Sequence, residues 1–297
     1  MKCFYHNDSD GKCAGYWVAA SAKQTKPQHS AEFIPINYDN HFPFETILPG
    51  EQIFIVDFSI PPSDMDKLLA ITKDVTFIDH HKSAIEQYKD YPHEIRGIRY
   101  DGIAGCMLTY CYLNKMTDRG LGDIKPFNVS MVVDAPLFTK LIADWDVWKF
   151  DFGDNTRYFQ MAFHSYDFSP ESTEWTKLLK NKNEECLINE GRIMHKYRNA
   201  WARSYCKSIG FEVEFEGYRC FAINLGLCNS EYFISVCDEG YDILVAFSYN
   251  GVNWKYSLYS CTVDVSKIAE KYAGGGHAGA AGFYNDKLLL ETQKGGI

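Results

Sequence analysis

The sequence predicts an α/β protein: a mostly parallel sheet with flanking helices in an N-terminal domain, followed by a smaller C-terminal α/β domain. Three observations predict it. Short apolar runs alternate with helical patterns over the first 150 residues, three of those runs end on carboxylates or imidazoles, and the last 90 or so residues read as strands closed by a helix.

The elements follow in order. KCFYH (2–6) reads as a strand, GKCAGYWVAASAKQ (11–24) has helical spacing, and EFIPINY (32–38) and QIFIVD (52–57) are short apolar runs. A helical SDMDKLLAITK (63–73) precedes VTFID (75–79), and SAIEQYK (83–89) is helical again. Such βαβ alternation calls for a parallel sheet, and ligands of these sheets bind beyond the carboxyl ends of the strands. Farther on, NKNEECLINEGRIMHKYRNAWARSYCKS (181–208) predicts one long amphipathic helix. Ile193, Met194, Tyr197 and Trp201 form its apolar face, and Arg192, Lys196, Arg203 and Lys207 its basic stripe. GFEVEF, GYRCFAINL, a short helical SEYFISVC, YDILVAFSY and VNWKYSLYS then lead to the helix VSKIAEKYA. The expected domains are 1–150, a helical connector over 151–208, and 209–297.

A chain of 297 residues with 46% apolar and 23% charged residues has room for two cores and the composition of a folded globular protein. The ten cysteines are scattered with no CxxC pair, the usage of reduced, buried thiols. No run of about 18 apolar residues is present, and MKCFYHNDSDGKCAG has neither a secretory nor a transit pattern, so a cytoplasmic location and no membrane partner are expected. The net charge of -9 argues against a basic groove for long nucleic acids.

The strand ends carry the chemistry. The first strand ends at His6, Asp8 and Asp10, QIFIVD ends at Asp57, and VTFID ends at Asp79, His80 and His81. One acidic strand end is a helix cap or a turn residue; three on one sheet edge make a site. In an extended segment residues two apart point the same way, so His6, Asp8 and Asp10 would face one centre. Carboxylates crowded together repel unless a cation lies between them. Mixed imidazole and carboxylate donors suit Mn²⁺ better than Mg²⁺.

These residues carry a resemblance. HNDSDG, the strand-terminal Asp57 and DHH at 79–81 resemble the first three motifs of the DHH phosphoesterase superfamily. SLYSCTVDVSKIAEKYAGGGHAGAAGF (257–283) resembles the glycine-rich signature of that superfamily's C-terminal substrate-binding domain. LIADWDVWKF (141–150) fits its fourth motif, with Asp144 as first choice of ligand, Asp146 on the same reach and Asp134 a third candidate. DGIAGCMLTYCYL is similar to its small-residue helix, where Gly102, Ala104 and Gly105 permit close approach beneath the site.

The resemblance implies two divalent ions, Mn²⁺ first and Mg²⁺ or Co²⁺ as alternatives, bridged by Asp57. One ion would also take His6 and Asp8, and the other Asp10, His80 and Asp144, while His81 would face the substrate phosphate. It implies hydrolysis of a phosphodiester by activated water. Gly274, Gly275, Gly276 and His277, between two helical patterns, would wrap a phosphate or nucleotide at the N-terminus of the following helix. Tyr259 stands where many relatives have arginine, and Lys255 on the same alternating face is the candidate replacement for the lost charge.

The sequence reading is thus a nanoRNase-like phosphodiesterase for short oligonucleotides or small nucleotides, cyclic dinucleotides included, releasing mononucleotides. The alternatives are a pyrophosphatase or polyphosphatase, a long-strand exonuclease of the RecJ type, and a non-catalytic nucleotide-binding protein. A homodimer is compatible with the pattern, although no interface signature stands apart from core patterning.

Overall fold

The structure is a computed structural model that describes residues 1–25, 30–38, 40–115 and 134–290. It divides into two compact units, Met1–Met194 and His195–Ile297.

The first unit is built on a four-stranded sheet. Its strands are β1 (Lys2–His6), β2 (Glu32–Ile36), β3 (Ile53–Val56) and β4 (Val75–Ile78), in the order β2-β1-β3-β4. All three pairings are parallel. Helices α1 (Ser9–Thr25), α2 (Pro62–Ile71) and α3 (Lys82–Gln87) are interleaved with the strands. Helices α4 (Gly105–Lys115), α5 (Leu137–Asp146), α6 (Asp154–Phe163) and α7 (Thr173–Asn181) follow, and α8 (Glu184–Ile209) begins in this unit. Every residue of IFIV in β3 and VTFI in β4 is buried, the mark of a parallel sheet covered on both faces.

Strand alternation sorts the core. Cys3, Tyr5, Phe54 and Val56 pack to one side with Trp17, Met107, Phe138, Phe159 and Trp175 from the helices. Phe4, Ile53, Ile55 and Phe77 pack to the other with Met65, Leu68 and Leu69 of α2. The chain leaves β1 to one side for β2 and returns on the other side as β3. That reversal of strand order puts a crevice at the carboxyl ends of β1 and β3, where His6 and Asp57 stand.

The second unit has a six-stranded mixed sheet ordered β5-β6-β7-β8-β10-β9. The strands are β5 (Phe211–Phe215), β6 (Tyr218–Asn224), β7 (Ile243–Tyr249), β8 (Trp254–Tyr259), β9 (Gly275–His277) and β10 (Ala280–Asn285), with α9 (Val265–Lys271) on one face. SEYFISVC contributes a 3-10 turn at Ser230–Phe233. β6 and β7 are parallel, and the other pairings are antiparallel. The expectation that the glycine run lies between two helices is corrected here: it is an edge strand, and a strand follows it. Gly276 adopts φ +145, and a Cβ on it would meet the Ala280 carbonyl oxygen at 2.6 Å, so the hairpin to β10 depends on glycine there.

The face of α8 expected to be apolar is also corrected. Of that face Met194 packs against the core, but Ile193 and Tyr197 are each 73% exposed and Trp201 is 39% exposed, while Leu187, Ile188, Gly191, Arg198, Ala202 and Cys206 are buried. Close approach at Gly191 joins the burial of Leu187 and Ile188 in selecting the face in the first unit. A Cβ on Gly191 would sit 1.7 Å from the Tyr158 carbonyl oxygen of α6, so only the glycine side of α8 can come that near. Gly191→Ala is therefore expected to destabilise the protein by about 1–3 kcal/mol through overpacking, against the gain of about 1 kcal/mol that alanine gives an unconstrained helix. Urea unfolding of the variant checks this, and a stability gain would disprove the close crossing.

Candidate metal centre

The chain turns from β1 into α1 over Asn7 and Asp8, so Asp10 lies in the first turn of the helix. His6, Asp8 and Asp10 converge through this strand-to-helix turn, not through the extended alternation that the sequence suggests. Gly11 makes the turn possible, since a Cβ there would lie 2.1 Å from the His6 carbonyl oxygen.

Each carboxylate is held differently. Asp8 accepts from the Gly11 N–H at 2.8 Å and lies 2.7 Å from His6 Nδ1. Burial would push the Asp8 carboxyl up, but His6 and the Gly11 N–H outweigh it and hold it below the usual range. Asp10, fully buried, accepts from the Gly105 and Cys106 N–H groups at 2.7 and 2.9 Å, at the positive end of α4. Gly105 is needed there because a Cβ would approach Asp57 Oδ1 to 2.7 Å.

Asp57 is the centre of the cluster. It follows β3 in a left-handed conformation, φ 53, and is 1% exposed. Neither of its carboxylate oxygens has a hydrogen-bond partner. His80 Nε2 lies 3.2 Å from Asp57 Oδ1, 3.3 Å from Asp146 Oδ2 and 3.7 Å from Asp10 Oδ2, and His6 Nδ1 lies 3.8 Å from Asp57 Oδ2. Burial first, then the charges of Asp10, Asp8 and Asp146, pushes the Asp57 carboxyl well above its ordinary range. Burial and the charges of Asp10, Asp8 and Asp79 do the same to Asp146, whose Oδ2 is also without a partner.

The imidazoles diverge. Burial lowers His80 despite the neighbouring Asp10. Burial would lower His81 too, but its Nδ1 lies 2.7 Å from Asp79 Oδ1, and that contact together with the Asp79 charge raises it. Buried Asp79 also accepts from the His80 backbone N–H at 2.8 Å, so one carboxylate holds the His81 ring and the backbone of His80.

Among the described residues, three groups could each hold a cation, with all ligand atoms within 4.8 Å: His6, Asp8 and Asp57; Asp10, His80 and Asp146; and Asp57, His80 and His81. Buried carboxylate oxygens with no donor, converging with imidazole nitrogens, fit divalent cations, and Asp57 is shared between two groups.

Asp144, the first choice from the sequence, is not in the cluster. It is buried and accepts from the Asp151 N–H at 2.8 Å, the Phe152 N–H at 3.3 Å and the Thr156 hydroxyl. Two residues apart on a helix lie roughly 200° apart in direction, so Asp146 faces the cluster while Asp144 faces the following loop. Asp134 likewise belongs to none of the three groups. Sequence reasoning also passed over Tyr38, whose ring lies 5.7 Å from His6 and 5.9 Å from His81. The signal was available, because Tyr38 follows β2 at the same sheet edge.

In the second unit the register gathers the remaining expected residues. Tyr259 pairs with Ala280, and Ala280 with His277, so Tyr259 and His277 share one sheet face, with Lys255 four residues earlier on the same face. Gly275, Gly276 and His277 are exposed, with Gly274 half-buried. The Tyr259 hydroxyl donates to the Cys228 carbonyl at 2.7 Å, and its ring packs 6.2 Å from that of Phe233.

No family model matches the chain. Among curated proteins, the uncharacterised protein R106 of Acanthamoeba polyphaga mimivirus is 22% identical over 246 residues, 78% of this chain and 53% of that protein. The chain thus spans about half the length of the curated relative it matches. Among solved structures, the pGpG-specific phosphodiesterase PggH from Vibrio cholerae matches with TM-score 0.50 and 10% identity over 96% of this chain and 93% of that one. RecJ from Thermus thermophilus in complex with Mn²⁺ matches with TM-score 0.49 and 12% identity over 96% of this chain and 49% of that one. The likeness to PggH establishes a shared fold. The protein is an α/β chain of that fold, with a carboxylate–imidazole cluster suited to divalent cations at its sheet edge. Among the described residues no helix is long and apolar enough to cross a membrane.

The different surroundings of Asp144 and Asp146 predict opposite effects. Asp146→Asn should weaken Mn²⁺ binding by at least about 10-fold, the loss that follows even from disturbing a ligand's support, with little loss of stability. Asp144→Asn should instead lower the melting temperature. Calorimetric Mn²⁺ titration and thermal unfolding of both variants measure this, and the reverse assignment would restore Asp144 as the ligand.

Proposed function

We propose that the protein is a metal-dependent phosphoesterase of the DHH type that hydrolyses short oligonucleotides or small nucleotides, cyclic dinucleotides among them, to mononucleotides. The observation that carries the reading is Asp57, whose two buried oxygens have no donor and face ligands on both sides, at the crevice where the strand order reverses. The order of the motifs HNDSDG, Asp57, DHH and GGGH supports it, as does a fold shared with a protein described as a pGpG-specific phosphodiesterase.

His6, Asp8 and Asp57 would hold one cation, and Asp10, His80, Asp146 and Asp57 the other. Bound there, the cations would supply Lewis acidity and a nucleophilic water at neutral pH. The chain does the rest. Asp79 holds Nδ1 of His81 and favours the protonated ring, so Nε2–H is the group free to donate to a phosphoryl oxygen or to the departing alcohol. The N–H groups at the start of α4 fix Asp10 in direction. In the second unit, Gly274, Gly275, Gly276, His277, Lys255 and Tyr259 would be the substrate contacts.

Asp57→Asn should lower turnover in Mn²⁺ by at least about 100-fold, since it removes a ligand rather than a ligand's support. The same change should leave the metal-free fold intact or more stable, because it removes a repelling charge that accepts no hydrogen bond. A Mn²⁺-supplemented assay on a dinucleotide, a cyclic dinucleotide, bis-p-nitrophenyl phosphate and pyrophosphate tests this. Near-normal activity of the variant would remove the two-metal reading, and turnover of pyrophosphate alone would replace the diesterase.

Length is the second discriminator. An acidic chain with net charge -9 gains little from extra phosphates, so kcat/KM should peak at about two to five nucleotides and fall for longer strands. Equal or faster hydrolysis of strands several tens of nucleotides long, at physiological salt, would favour a long-strand exonuclease.

A further inference from the structure

Immediately beyond the cluster, residues 145–152 carry Trp145, Trp148, Phe150 and Phe152. Trp148 meets Trp145 and Phe150 edge-to-face at 4.8 Å each, and the Arg157 guanidinium covers the Phe150 ring at 3.8 Å. Despite this backing, Trp148 is 47% exposed and Phe152 40% exposed. Large aromatic surface left in water next to a polar site calls for a ligand.

The loop is held in this form at a cost. Trp148 and Phe150 have φ 56 and φ 59, the left-handed region that bulky residues avoid. Asp144 fixes it: its carboxylate takes the N–H groups of Asp151 and Phe152 and the Thr156 hydroxyl, and its carbonyl takes the Lys149 N–H at 3.1 Å. A buried carboxylate and two strained residues thus hold an indole in solvent. Trp148 is two residues from Asp146, so their Cα atoms are no more than about 7 Å apart. An occupant of both places has a phosphate at the cluster and a flat ring beside it, and a nucleotide has both.

Resting on the phosphodiesterase reading, we infer that Trp148, backed by Trp145 and Phe150, is the stacking platform for a nucleobase attached to the phosphate at the cluster. Binding at such a platform is tolerant of base identity, because every base offers a π-face. Trp148 is therefore a positioning residue, and it favours nucleotides over other phosphoesters.

Calorimetry of the Mn²⁺-loaded protein with adenosine 5′-monophosphate and with ribose 5-phosphate tests the platform without requiring turnover. The wild type should prefer the nucleotide by about 5- to 150-fold, the worth of one stacked base. Trp148→Ala should bring that ratio close to one, and Trp148→Phe should retain most of it, with thermal unfolding confirming that both variants are folded. An unchanged ratio in Trp148→Ala, or no preference in the wild type, overturns the inference. A preference that depends on Trp148 in a protein that hydrolyses no diester would uphold the platform and remove the hydrolase. Normal hydrolysis with no base preference would do the reverse.

Discussion

Repulsion among Asp8, Asp10, Asp57 and Asp146 is the constraint around which the first unit is organised. Four carboxylates held this close destabilise the fold unless each charge is answered. The chain answers two of them from its own backbone. Gly11 N–H serves Asp8, and the first two N–H groups of α4 serve Asp10. Asp57 and Asp146 keep buried oxygens with no donor. Cations at those oxygens would convert the costliest feature of the unit into a source of cohesion, since metal binding to a folded site is also folding free energy.

That constraint explains features which otherwise look unrelated. Gly11 and Gly105 stand where a single methyl group would collide with His6 or Asp57, so the cluster's compactness rests on glycines as much as on ligands. The left-handed Asp57 turns its side chain into the crevice directly after a buried strand. Asp79, itself fully buried, holds the His81 ring and the His80 backbone N–H, so one carboxylate of the DHH run acts through the turn and the ring that it fixes.

The second unit answers a different problem. Its glycine run has nothing to coordinate; it gives an edge strand whose backbone stays accessible, with His277, Tyr259 and Lys255 on one face of the sheet. The opposite face is committed to the core, with Tyr256, Leu258 and Phe283 packed against Ile268 and Ala269 of α9. Alternation along β8 therefore puts Tyr256 and Leu258 on the α9 side and Lys255 and Tyr259 on the other, where Tyr259 borders a second, smaller apolar cluster.

The sequence by itself determined the α/β class, the four strands of the first sheet, the first four of the second, and the convergence of His6, Asp8, Asp10, Asp57 and His80 at one sheet edge. Strand hydrophobicity and strand-end chemistry are local signals, and a parallel sheet aligns its carboxyl ends whatever the details of packing. What only the tertiary structure decided were choices between residues of the same kind. Asp144 and Asp146 are chemically alike, and the rotation of α5 against its neighbours sends one to the loop and the other to the cluster. The apolar face of α8 reads as Ile193, Met194, Tyr197 and Trp201, yet of these Met194 packs on the core and the crossing at Gly191 buries another side. GGGH reads as a loop before a helix, and pairing of Ala280–Asn285 with β8 makes it a strand instead. In each case the deciding term is a contact between segments distant in sequence, a backbone approach or a ladder partner, which no local pattern encodes.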